Sequence, residues 1–75
     1  MTPGDAGLLN EVTGADWTDT GEMMIAAGPN GGIIDRNPQL NEWFIIFNDD
    51  RPQCDEWFAI RADAIAAFVE ATPDA

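Results

Sequence analysis

NEWFIIFNDDRPQCDEWFAIR, residues 41–61, spells Glu-Trp-Phe twice, at Glu42-Trp43-Phe44 and at Glu56-Trp57-Phe58, with Asp49, Asp50 and Asp55 between the copies. Residues 43–48 and 57–61 are dense in β-branched and aromatic side chains, and Asn48, Asp49, Asp50 and Pro52 between them form turns readily. The stretch therefore predicts a β-hairpin. Alternation sets Phe44 and Ile46 on one face of the first strand and Trp43, Ile45 and Phe47 on the other. It splits the second strand into Phe58 and Ile60 against Trp57, Ala59 and Arg61. A register pairing Phe47 with Trp57, Ile45 with Ala59 and Trp43 with Arg61 gathers Phe44, Ile46, Phe58 and Ile60 into a seat for a helix. The Trp face must then be covered by the N-terminal segment, a second copy or a partner, because a bare apolar patch of several hundred Å² is unusual on a monomer. The doubled motif is first a hairpin signature, with Trp43 and Trp57 read as core before they are read as binding anchors.

Outward from this hairpin the chain offers a second one and two helices. Residues 22–27 lead through Gly28-Pro29-Asn30-Gly31-Gly32 into residues 33–36, a hairpin ended by Asn37-Pro38. Downstream, Asp63 is placed to cap a helix with an apolar stripe of Ile65, Phe68, Val69 and Thr72, stopped by Pro73. Upstream, Thr2 can cap a short helix with Pro3 at its first position and Leu8, Leu9 and Val12 on one face. ADWTDTG, residues 15–21, reads as a polar connection. The expected fold is α+β: an antiparallel sheet of three to four strands in two hairpins, a C-terminal helix packed on one face, and a short N-terminal segment.

The chain has 75 residues, so residues 1–75 are read as one small domain. A domain of this size buries only about 60% of its unfolded surface, leaving a marginal core. Cys54 is the single cysteine, which excludes an intrachain disulfide and a cysteine zinc cluster and fits a reducing compartment. No basic, apolar leader and no membrane-length apolar run is present, so the expectation is a soluble cytoplasmic protein.

Charge sets the function classes. Fourteen Asp and Glu stand against three Arg, with no Lys or His, for a formal charge of -11 at pH 7. Solubility of a small domain needs a magnitude of only about 2 to 8, and the excess costs stability through self-repulsion. Direct nucleic-acid binding needs Lys and Arg on phosphates and is excluded, as is an anionic membrane. Without His, Lys, Tyr or Ser, only Cys54 and the threonines remain as nucleophiles, with no imidazole to activate them. An enzyme is not expected, nor a cofactor. The run from Gly28 to Gly32 lacks the Lys and following helix of a phosphate cradle and is explained as a turn. Asp16, Asp19 and Glu22 at spacings of three, and Asp49, Asp50 and Asp55 in a turn, offer oxygen ligands without a calcium-loop order. No metal site is expected from them.

Acids can work only where they cluster, since evenly spread charges sit a screening length or two apart. Two clusters stand out: Asp49, Asp50, Asp55 and Glu56 around one hairpin end, and Glu11, Asp16, Asp19 and Glu22 along the N-terminal connection. Side chains on one strand face repeat at about 6.6–6.8 Å, of the same order as the 3.4 Å axial rise per phosphate of a nucleic-acid strand. Carboxylate rows can thus occupy a channel lined by Arg and Lys, with nearby aromatics as anchors.

A chain this short and acidic, with aromatic strands as in Glu42-Trp43-Phe44 and Asp55-Glu56-Trp57-Phe58, resembles the acidic nucleic-acid mimics that phages use against host defences, including many anti-CRISPR proteins. That class shares charge and size rather than a sequence pattern, so contact residues must come from this chain's own clusters. The resemblance implies a cofactor-free inhibitor that binds a basic groove of a host defence complex, a protein or ribonucleoprotein, and blocks its nucleic acid or a recruited nuclease. The contact acids are then Asp49, Asp50, Asp55 and Glu56, with Asp16, Asp19 and Glu22 next and Trp43 and Trp57 as anchors. Three rivals use the same composition: solvation in a high-GC or salt-adapted host, an immunity or antitoxin-like partner of a basic protein, and a small subunit that forms a homodimer through the Trp face.

Overall fold

The computed structural model describes residues 4–72. It is α+β: a four-stranded antiparallel sheet with two helices on one face, the second of them C-terminal. The strands are β1 (Thr18–Asp19), β2 (Met24–Ala26), β3 (Gly32–Asn37) and β4 (Glu42–Phe47), adjacent in chain order. The helices are α1 (Asp5–Thr13) and α2 (Arg61–Ala71).

The expected β2–β3 hairpin forms, in the register Met24–Ile34, Ile25–Ile33 and Ala26–Gly32. Gly28 takes the left-handed backbone its turn requires (φ 95°). Gly32 fits where nothing larger does: an added Cβ would meet the Ile46 carbonyl oxygen and, at 2.9 Å, the Phe68 ring.

The second expected hairpin does not form as such. β4 pairs with β3 over six residue pairs, from Gly32–Phe47 to Asn37–Glu42. The link from β3 to β4 is a tight turn: the Asn37 side chain accepts from Gln39 and Leu40 N–H, and Asn41 (φ 55°) returns its N–H to the Asn37 carbonyl at 2.8 Å. Closing this turn costs less chain entropy than closing the loop from Asn48 to Trp57. Of residues 57–61 only Phe58 pairs with β4, opposite Trp43 rather than the expected Arg61. Arg61 is claimed by α2, whose four alanines in residues 61–67 favour helix. The helix accordingly starts before Asp63, with Ile60 at the N-cap, and Asp63 lies in the first turn, where its charge complements the helix dipole. Thr2, Pro3 and Pro73 lie outside the described residues.

Both helices cover the face carrying Met24, Ala26, Ile34, Ile45 and Phe47, and these join Leu9, Trp17, Ala64, Ile65 and Phe68 in one core. This inverts the expected faces. Ile45 and Phe47 point to α2, with the Phe47 and Phe68 rings 4.9 Å apart, while Phe44 and Ile46 point away. On α1 the expected stripe is also rotated: Leu9 and Thr13 are buried, and Leu8 and Val12 are about two-fifths exposed.

Thr13 explains that rotation. Its hydroxyl donates to the Leu9 carbonyl (2.6 Å) and accepts from the Trp17 indole N–H (2.9 Å) and the Ala15 N–H (3.1 Å). The Asn10 side chain accepts the Trp17 backbone N–H at 2.7 Å. Gly14 (φ 73°) ends the helix with its N–H on the Asn10 carbonyl. Trp17 thereby closes edge-on against Phe68, ring centres 5.0 Å apart. The segment read as a polar connection thus supplies a core tryptophan.

Candidate acidic docking site

Two of the three arginines hold the fold. Arg51 chelates Asp49, with Nε on Oδ1 at 2.6 Å and Nη2 on Oδ2 at 2.8 Å, while Nη1 donates to the Ala71 carbonyl near the end of α2. Its guanidinium lies 4.6 Å from the Phe47 ring centre. Arg61, at the start of α2, donates to Asp19 Oδ2 at 2.5 Å and lies 3.5 Å from Asp5 Oδ2, with the Trp43 ring centre 5.9 Å away. It ties α2 to α1 and β1. Arg36 donates to the Asn41 side chain and is exposed.

These contacts sort the expected acids. Asp49 is neutralised by Arg51, whose side-chain hydrogen bonds hold its carboxyl below the usual aspartate range. Asp19 is held low by the Gly21 N–H first and by Arg61 second. Asp50, Asp55 and Glu56 in the loop after β4, Asp16 before β1, and Glu22 in the turn between β1 and β2 are exposed and form no ion pair among the described residues. The expected clusters therefore each lose one acid to the fold. Among the described residues, no group of three or more His, Cys, Asp or Glu is arranged to hold a metal ion. No helix among them is long and apolar enough to cross a membrane.

The uncovered sheet face carries the apolar surface. Ile25, Ile33 and Ile46 are direct cross-strand neighbours and form a ridge across β2, β3 and β4, with Thr18 next to Ile25 on β1. Beside the ridge, Phe44 meets Trp57 at 5.4 Å, edge-on. Trp57 is 45% exposed. Trp43 lies on the opposite, helix side, half-buried with Arg61 near its ring, so the two tryptophans of the doubled motif do not share a face. Two acids outside the expected clusters belong here: Asp35, opposite Phe44, and Glu42, opposite Asn37. The signal was present in the alternation of Ile33 and Asp35 along β3.

Between the edge of β4 and residues 53–57 runs an open groove of about 570 Å³, lined by Phe44, Ile46, Cys54, Asp55, Glu56 and Trp57 among others. Apolar walls thus meet two unpaired carboxylates. Comparison with protein-family models, with curated proteins and with solved structures finds no match to this chain.

Proposed function

We propose that this protein is a non-enzymatic, cofactor-free inhibitor that occupies a basic nucleic-acid-binding surface of a host defence complex, keeping out nucleic acid or a nuclease by charge mimicry. One observation carries the reading: the two ion-paired arginines, Arg51 and Arg61, are spent on holding helices to the sheet, so the surface charge left for a partner is almost wholly negative. Asp55, Glu56 and Trp57 put carboxylates and an exposed aromatic side by side, combining electrostatic steering with a desolvated anchor. Asp50 adjoins them in the same loop, while Asp16 and Glu22, also exposed, flank β1 at the opposite edge of the sheet.

The test is a competition assay with an isolated basic, nucleic-acid-handling defence complex and its own nucleic acid. Wild type is compared with Asp50→Asn/Asp55→Asn/Glu56→Gln, which leaves Asp49 to hold Arg51. Displacement by wild type that falls steeply with added salt and is lost in the triple variant supports mimicry. Equal displacement by both proteins, or none by either across such complexes, sinks it.

A second reading rests on the bare ridge of Ile25, Ile33 and Ile46 with Phe44 and Trp57, a face suited to a second copy. Two chains of formal charge -11 repel, so such a dimer strengthens with salt whereas capture of a basic surface weakens. Sedimentation at two ionic strengths separates the two.

A further inference from the structure

The charges of this molecule are sorted by side of the sheet. Arg36 stands opposite Trp43 in the β3–β4 register, on the helix side, and its Nη1 donates to the Asn41 side chain at 2.7 Å. Arg51 stacks on Phe47, and Arg61 belongs to α2. With no Lys or His in the chain, no cationic side chain is left for the uncovered face. That face is graded along its strands. Ile25, Ile33 and Ile46 form one row across three strands, Asp35 and Phe44 the next, and Asn37 and Glu42 the last. Ile25 and Ile46 are 42% and 41% exposed, and Trp57 stands beside Phe44. Neither Asp35 nor Glu42 forms an ion pair among the described residues.

We infer that the uncovered sheet face docks an amphipathic helix of a protein partner, apolar at one end of its contact stripe and carrying Lys or Arg at the other. A sheet face is closed by a helix or by another sheet. An extended segment laid across it leaves its own N–H and C=O groups unpaired, whereas a helix pairs them internally. Strand addition is blocked on the β4 edge, where Phe58 bonds Trp43 and the Gln53 side chain bonds Phe47. Same-face rows repeat at about 6.7 Å, so the isoleucine row and the Glu42 row lie about 13 Å apart, which a helix along β3 and β4 spans in about nine residues. Its apolar positions meet Ile33, Ile46 and Phe44, and its cations meet Asp35 and Glu42, with Asp55 and Glu56 flanking the β4 side. A second copy offers the same ridge but no counter-charge for these acids. The inference gives the form of the partner and rests on the reading of this protein as a binder of a basic surface.

The test uses the full chain with NMR-labelled isoleucine δ1 methyl groups. The probe is a synthetic helix of about 18 residues, beyond the length at which isolated helices are marginal, with Leu at one end of its stripe and Lys at the other. Its controls are a scramble of equal charge without the stripe, and the same helix with Glu for Lys. The expected result is a saturable shift of the Ile25, Ile33 and Ile46 methyls and of the Trp57 indole, with a Kd below about 100 μM. The core methyls of Ile34, Ile45 and Ile65 stay in place. The scramble binds at least about tenfold more weakly, added salt weakens the Lys helix, and Asp35→Asn/Glu42→Gln weakens it about tenfold. Shifts centred on the helix side, no saturable shift, equal affinity for either control, or unchanged affinity in the double variant overturns the inference. So does a free protein that sediments as a dimer which the Lys helix does not dissociate, the outcome for a second copy. The double variant keeps Asp50, Asp55 and Glu56, and the assay contains no nucleic-acid-handling complex. Helix binding beside failed competition therefore removes only the inhibitor reading, and the reverse result removes only the docked helix.

Discussion

Arg51 shows at the scale of one residue how an acidic chain spends its few cations. Its planar fork serves the two oxygens of Asp49 and a carbonyl near the end of α2 while stacking on Phe47, a set of contacts that a point charge on a flexible stem cannot reproduce. Arg51→Lys keeps the charge, yet we expect it to lower stability by about 0.5–2 kcal/mol from the lost stacking, read from the urea midpoint. An unchanged midpoint means the cation is merely a counter-charge. The three Arg were countable in the sequence, but their partners were not. Asp19 and Arg61 are far apart in the chain and meet only when β1 and α2 converge.

At the scale of elements, β4 decides which layer is buried. Both of its alternating sets are apolar, so alternation defines two faces without saying which one the helices take. The structure selects Ile45 and Phe47 because Trp17, fastened to α1 through Thr13 and Asn10, meets Phe68 from the same side. The inversion can be measured. Phe68→Ala should cost about 3–5 kcal/mol in chemical denaturation, the range for emptying an aromatic core site. Ile46→Ala, on the exposed ridge, should stay within about 0.5 kcal/mol. Comparable losses at the two positions would mean the ridge is covered in solution.

The whole molecule couples its charge to its stability through Asp19 and Asp49. Both carboxyls are held below the ordinary aspartate value, so over that interval the unfolded chain binds more protons than the folded one. Their contribution is present above about pH 4, the unfolded aspartate range, and is lost as pH falls through the lower folded values. We expect the urea midpoint to drop below about pH 4 and Asp19→Asn to flatten that limb. A limb unchanged by Asp19→Asn would detach its link to Arg61 from the acid response. At the same scale the molecule is a slab, 18 Å in its thinnest dimension against 35 and 33 Å. One sheet and one helical layer leave the other sheet face to solvent or to a partner.

The β2–β3 hairpin, the strand at residues 42–47, the C-terminal helix and the excess of acid were all legible in the sequence. Each rests on near neighbours: a glycine-rich turn, an aromatic run, an alanine-rich segment, a sum of charges. The tertiary structure alone decided that β4 pairs backward with β3, that Trp17 belongs to the core, and that Asp19 and Asp49 are neutralised. These depend on which distant groups compete for one partner, and the winner is set by loop closure, helix propensity and packing acting together on the whole chain.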